Sequence, residues 1–151
     1  VRFSAVRSPT RRRAIYLRGA SWPDSVPRLM GGAAVDGSGA PAVGSSVSDG
    51  TSIFPGLRYT GRLVYDPLGT LPQGEGVFHT GIGSQTSSGH RWGDYTSPSV
   101  DPTDDCTFWH VNEDYPVNPA TAWRLRSGAS KVSQGGTPHL PLPPAPLAQN
   151  A

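Results

Sequence analysis

Glycine and proline interrupt this chain so often that a helix of ordinary length finds little room in it. What recurs between the interruptions is the short alternation of apolar and polar residues that marks strands. Residues 1–7 alternate Val1, Phe3 and Ala5 against Arg2 and Ser4, and residues 13–19 carry a second run after a Ser-Pro-Thr turn. Residues 28–48 hold two small-residue strands about Asp36-Gly37-Ser38-Gly39, a tight-turn sequence. Residues 57–71 add a strand and an Asp66-Pro67-Leu68-Gly69 turn, and residues 74–83 a strand edged by glycine. Short strands so regularly punctuated predict an all-β chain built of antiparallel sheets.

Composition narrows the function classes. With 19 Gly, 16 Pro and 35% hydrophobic residues, turns should be many and helices few. No apolar run approaches the roughly 18 residues of a membrane span, so none is expected. The chain opens at Val1 without the apolar segment and cleavage site of a signal peptide. The net charge of +2 is carried by arginine far more than lysine, and only Arg11, Arg12 and Arg13 cluster. A nucleic-acid face would gather basic residues with interleaved aromatics, so no nucleic-acid partner is expected. Arginine in place of lysine, with abundant Ala, Gly and Pro, fits a GC-rich bacterial coding sequence. Cys106 is the single cysteine and reads as a small half-buried residue between Asp105 and Thr107. His79 and His90 have no third ligand in a recognisable pattern, so they suggest no metal centre.

Part of the pattern returns. Val35-Asp36 and Val100-Asp101 each follow an arginine and a short glycine-bearing approach, and each precedes a polar turn and a second strand. A four-strand unit that recurs after several tens of residues fits a propeller blade.

The densest chemistry lies in residues 91–115, "RWGDYTSPSVDPTDDCTFWHVNEDY". Asp101, Asp104 and Asp105 offer oxygens of the kind calcium takes, although the loop lacks a calcium loop's turn glycine and terminal glutamate. A hairpin turn in which Asp101 accepts backbone N–H groups is the plainer reading. Glycoside hydrolysis needs two groups flanking the bond, for which Arg91, Asp94, Glu113 and Tyr115 are the catalytic candidates. Arg58 and Arg62, with Arg91, can clamp a substrate carboxylate, and Trp92 is a further candidate for substrate contact. Against these stands a structural alternative, an Arg91–Asp94 pair fixing the strands and tryptophans packed between sheets. Residues 95–101 and 106–113 are expected to pair as antiparallel strands about a Pro102–Asp105 turn. Trp109 should then face the core and Phe108 the opposite side.

The same run resembles the C-terminal part of secreted bacterial proteins with sialidase-like (BNR-repeat) β-propellers, in which an R-W-G-D-Y-S…V-D-P-x-D-D-x-T-F-W…N-E-Y motif recurs. "PRLMGGAAVDGSGAPAVGSSVS" and "RYTGRLVYDPLGTLPQGEG" are similar to family segments in the expected order. The resemblance covers about residues 1–126 and implies about two blades of a propeller and an extracellular or cell-surface setting. Its partners would be a glycan or an extracellular protein. It implies a non-catalytic fragment serving as scaffold or interaction surface. The alternatives are the C-terminal part of a sialidase-like hydrolase whose other catalytic residues lie upstream, and a carbohydrate-binding module. Leu29, Gly31 and Pro98 depart from the family pattern, and the Asp box is present only in part. Where a closing strand should follow Arg126, residues 127–151 carry Pro138, Pro141, Pro143, Pro144 and Pro146 instead, and are expected to form a disordered tail.

Overall fold

The computed structural model describes residues 2–7, 14–20, 23–86, 92–93, 95–116 and 123–132. Among these residues every regular element is a strand, and each pairing is antiparallel. Strands β1 (Arg2–Arg7) and β2 (Ala14–Ala20) make a two-stranded sheet. Strands β3 (Arg28–Val35), β4 (Pro41–Val47), β5 (Gly56–Gly61) and β6 (Glu75–His79) make a four-stranded sheet in chain order. Strands β7 (Ser99–Val100), β8 (Phe108–Asp114) and β9 (Arg124–Ser130) make a third sheet, again in chain order.

The three sheets stack, with β1 against β3 on one side and β3 and β4 against β7 and β8 on the other. This explains β4, whose seven residues, Pro-Ala-Val-Gly-Ser-Ser-Val, are all buried. A strand covered on both faces cannot alternate apolar with polar, and small residues let two sheets approach it. Its Val43 packs with Phe3 and Leu71 toward the first sheet. Its Gly44 meets the His110 ring of the third, where an added Cβ would lie 2.6 Å from the ring. Phe78 of β6 lies on Gly128 of β9, continuing the same seam, and stacks on His110 at 6.1 Å between ring centroids. Across the four-stranded sheet, Arg28 of β3 reaches Glu75 of β6 at 2.7 Å.

The turns follow the sequence closely. Asp36 Oδ1 accepts from the Ser38 N–H and hydroxyl and the Ala40 N–H, at 2.7 to 2.9 Å. Asp101 Oδ1 repeats the first two contacts with Thr103. The two turns meet directly, the Gly37 N–H donating to the Asp105 carbonyl at 2.8 Å. Asp66 closes the third turn by accepting from the Leu63 N–H and the Gln73 side chain.

Three expectations need correction. The strand expected over 95–101 is regular only at Ser99–Val100, because Pro98 interrupts it; the Thr96 hydroxyl still donates to the Val111 carbonyl. The faces of β8 are reversed: Phe108 is buried at 2% exposure, whereas Trp109 is half-buried and donates its Nε1–H to Asp101 Oδ2 at 3.0 Å. An indole N–H needs a partner, and the turn carboxylate holds it at the sheet margin. Last, the proline-rich tail does not begin at residue 127. Ser127 to Ser130 complete β9, paired with Phe108 to Val111, and Gly128, Ala129 and Ser130 are buried. The remainder of the expected tail, residues 133–151, lies outside the described residues.

Candidate functional site

Of the residues named from sequence, Trp92, Glu113 and Tyr115 gather at one end of the stack, where β4 and β8 end and β3 and β9 begin. Trp92 donates its Nε1–H to Ser46 Oγ at 3.1 Å and packs against Tyr115 at 5.4 Å between ring centroids. The Tyr115 hydroxyl is in hydrogen-bonding contact with Gln85 and Glu113. Glu113 Oε2 accepts the Gly93 N–H at 2.7 Å. Glu113 and Tyr115 are therefore brought together, as a glycosidase pair would require. Both are buried, however, at 8% and 3% exposure, and burial pushes the Tyr115 phenol above its ordinary value. A nucleophilic tyrosine needs the opposite shift and an open face. Arg91 and Asp94 lie outside the described residues.

Beside this cluster opens a cleft of about 680 Å³. Pro27, Leu29, Ile53, Phe54, Gln85 and Trp92 contribute to its walls. The segment Asp49 to Ile53 is held rigid by one side chain. Asp49 Oδ1 accepts the N–H groups of Thr51, Ser52 and Ile53 at 2.6 to 2.9 Å, which holds the carboxyl well below the usual carboxylate range. This wall was not singled out from sequence, although Ser-Asp-Gly-Thr-Ser, residues 48–52, carries the turn signature that predicts it.

The remaining candidates are engaged in structure. Arg62 is 1% exposed, and its guanidinium donates to the carbonyls of Val64 and Asp66, so it fastens a turn. Arg58 donates to the His79 carbonyl at 3.0 Å and stands 3.9 Å from Glu75. Asp104 accepts from the Cys106 and Thr107 N–H groups, the Thr107 hydroxyl and Lys131, which together hold its carboxyl well below the usual range. Asp105 adopts a positive φ of 53° in the same turn. Asp101 and Asp104 thus point their oxygens at donors of their own hairpin and at Lys131, while the Asp105 carboxylate lies against Gly37 of the neighbouring turn. Among the described residues no group of three His, Cys, Asp or Glu side chains is placed to hold a metal ion.

One constellation was invisible to sequence reasoning. Asp114, fully buried at the end of β8, faces His79 Nε2 at 2.9 Å, Arg124 Nε at 2.8 Å and Arg126 Nη2 at 3.0 Å. Burial pushes its carboxyl up, but Arg124, Arg126 and His79 outweigh burial and bring it below the usual range. For His79 burial wins over Asp114 and lowers the imidazole. Comparison with protein-family models, curated proteins and solved structures finds no match to this chain.

Proposed function

We propose that this chain is a non-catalytic part of an extracellular β-propeller, its stacked sheets being blades, and that it serves as a scaffold or interaction surface for a glycan or another protein. The observation that carries this reading is the contrast between its two kinds of side chain. The reactive-looking groups are engaged in turns and seams, while the third sheet leaves large apolar side chains exposed. On the side away from the second sheet, Val111 and Leu125 are 38% and 51% exposed, and Trp123, just before β9, is 60% exposed. Contiguous exposed apolar surface marks an interaction site more often than chance.

The expected result is no dye release from a panel of aryl glycosides, a sialoside included, by residues 1–151. Release would overturn the non-catalytic reading. Replacing Trp123 and Leu125 together by Ser should leave the thermal midpoint unchanged and abolish association seen by sedimentation. An unaltered association would remove this face as the surface.

A second reading, the C-terminal part of a sialidase-like hydrolase, is favoured by the contact between Glu113 and Tyr115 behind Trp92, which lines the cleft. It requires an activity that Glu113→Gln abolishes while the fold is retained.

A further inference from the structure

Donors outnumber acceptors at one place in the seam between the second and third sheets. In the β8–β9 ladder Asn112 stands opposite Arg126, and Asp114 opposite Arg124. The single carboxylate of Asp114 faces two guanidinium groups, both on Oδ2, while Oδ1 is taken by His79. Even with His79 neutral, as its burial favours, two guanidinium groups against one carboxylate leave the group net positive. Two donors beside it, Asn112 Nδ2 and Arg126 Nε, are buried without a partner. The amide cannot be turned to remove the first of these, because Asn112 Oδ1 already accepts the Glu113 N–H at 2.8 Å. Asn112 itself is 5% exposed. The arginines, in contrast, reach solvent: their side chains are 45% and 26% exposed.

A buried donor without an acceptor is costly, and a clustered surplus of donors around excess positive charge is the electrostatic setting of an anion site. A guanidinium presents five N–H groups in a planar fork that matches the oxygens of a carboxylate or a sulfate. Arg124 is shown using only Nε, and Arg126 only Nη2. We propose that Arg124 and Arg126, backed by Asn112, bind a small oxoanion, a carboxylate or sulfate group, at the outer margin of the β8–β9 ladder. Asp114 and His79 position the two forks and are not themselves ligands. The proposal does not depend on the chain being an interaction surface.

The test titrates the full chain with sodium sulfate and, separately, sodium acetate, against sodium chloride at equal ionic strength. Thermal midpoint and the NMR signals of the arginine Nε–H and asparagine side-chain amide groups are followed. A saturable rise in midpoint is expected with at least one oxoanion, and the two arms show whether sulfate or carboxylate is preferred. The Arg124, Arg126 and Asn112 signals should move together. Arg124→Gln should abolish the rise, since it removes the more exposed fork and leaves Arg126 and His79 on Asp114. Arg124→Lys, which keeps the charge and loses the fork, should weaken binding roughly tenfold, and it serves if the glutamine variant does not fold. A midpoint that follows ionic strength alone overturns the proposal, as does a rise that survives both substitutions. Shifts spread over other arginines while those three stay still would overturn it as well.

Discussion

His110 is the residue on which the seam is most exposed to pH. It is 2% exposed, both ring nitrogens are without partners, and burial lowers its imidazole to about 4 from an ordinary 6.5. The folded state therefore keeps it neutral where the unfolded chain would take a proton. Its contribution is complete above about pH 6.5 and declines as pH falls toward 4, by roughly 3 kcal/mol in all. His79, also lowered, acts in the same direction. Urea midpoints should fall between pH 7 and pH 5, and His110→Leu should flatten part of that slope; an unchanged slope would mean the ring is solvated. Gly44 is the other half of this contact. A methyl group there would press on the ring at 2.6 Å, so Gly44→Ala should cost about 1–3 kcal/mol. The loss should be smaller in a His110→Ala background, a coupling that a double-mutant cycle measures.

Among the elements, β8 and β9 give the sharpest contrasts. Phe108, not Trp109, is the core residue of β8, so Phe108→Ala should cost about 3–5 kcal/mol and Trp109→Ala clearly less. Denaturant melts of both variants decide it, and equal losses would return Trp109 to the core. A chain ending at Arg126 loses the half of β9 paired with Phe108 to Val111, and should melt well below one ending at Val132. The strands with apolar alternation or flanking turn residues, β1 through β6 and β8, were legible in the sequence, as were the Asp36, Asp66 and Asp101 turns, whereas β7 was read as longer than its two residues. Strand β9 was not. Its sequence, Arg-Leu-Arg-Ser-Gly-Ala-Ser, has almost no apolar residue to reveal a face, and it is ordered by pairing with β8 and by Phe78 lying on Gly128. The site was legible in the same uneven way. Trp92, Glu113 and Tyr115 were named and do come together, but their burial depends on neighbours that local pattern does not show. Arg62 was named for its charge, and its role is set by turn carbonyls four residues away or fewer. The His79–Asp114 contact joins residues far apart in the chain, which periodicity cannot register.

For the whole molecule, Asp114 is the charged joint between the second and third sheets, reaching β6 through His79 and β9 through two arginines. Asp114→Asn would leave those cations without their counter-charge and should cost about 3 kcal/mol. Because the loss falls on the joint, unfolding should become biphasic, with the third sheet parting first. Tryptophan fluorescence would report that step, since Trp109 lies on the third sheet, and backbone circular dichroism the whole. A single transition seen by both would show that the remaining packing holds the sheets together without Asp114.

The complete burial of β4 has a consequence for how the chain breathes. Its amides are bonded to strands on both sides and its two faces are covered by other sheets, so no local fluctuation opens it to solvent. Protons on β4 should exchange with deuterium only when the entire chain unfolds, while those of β1, β2 and β9 escape through smaller openings at the margins. The slowest-exchanging amides would then measure the global free energy directly, read from a strand with neither a large side chain nor a charge.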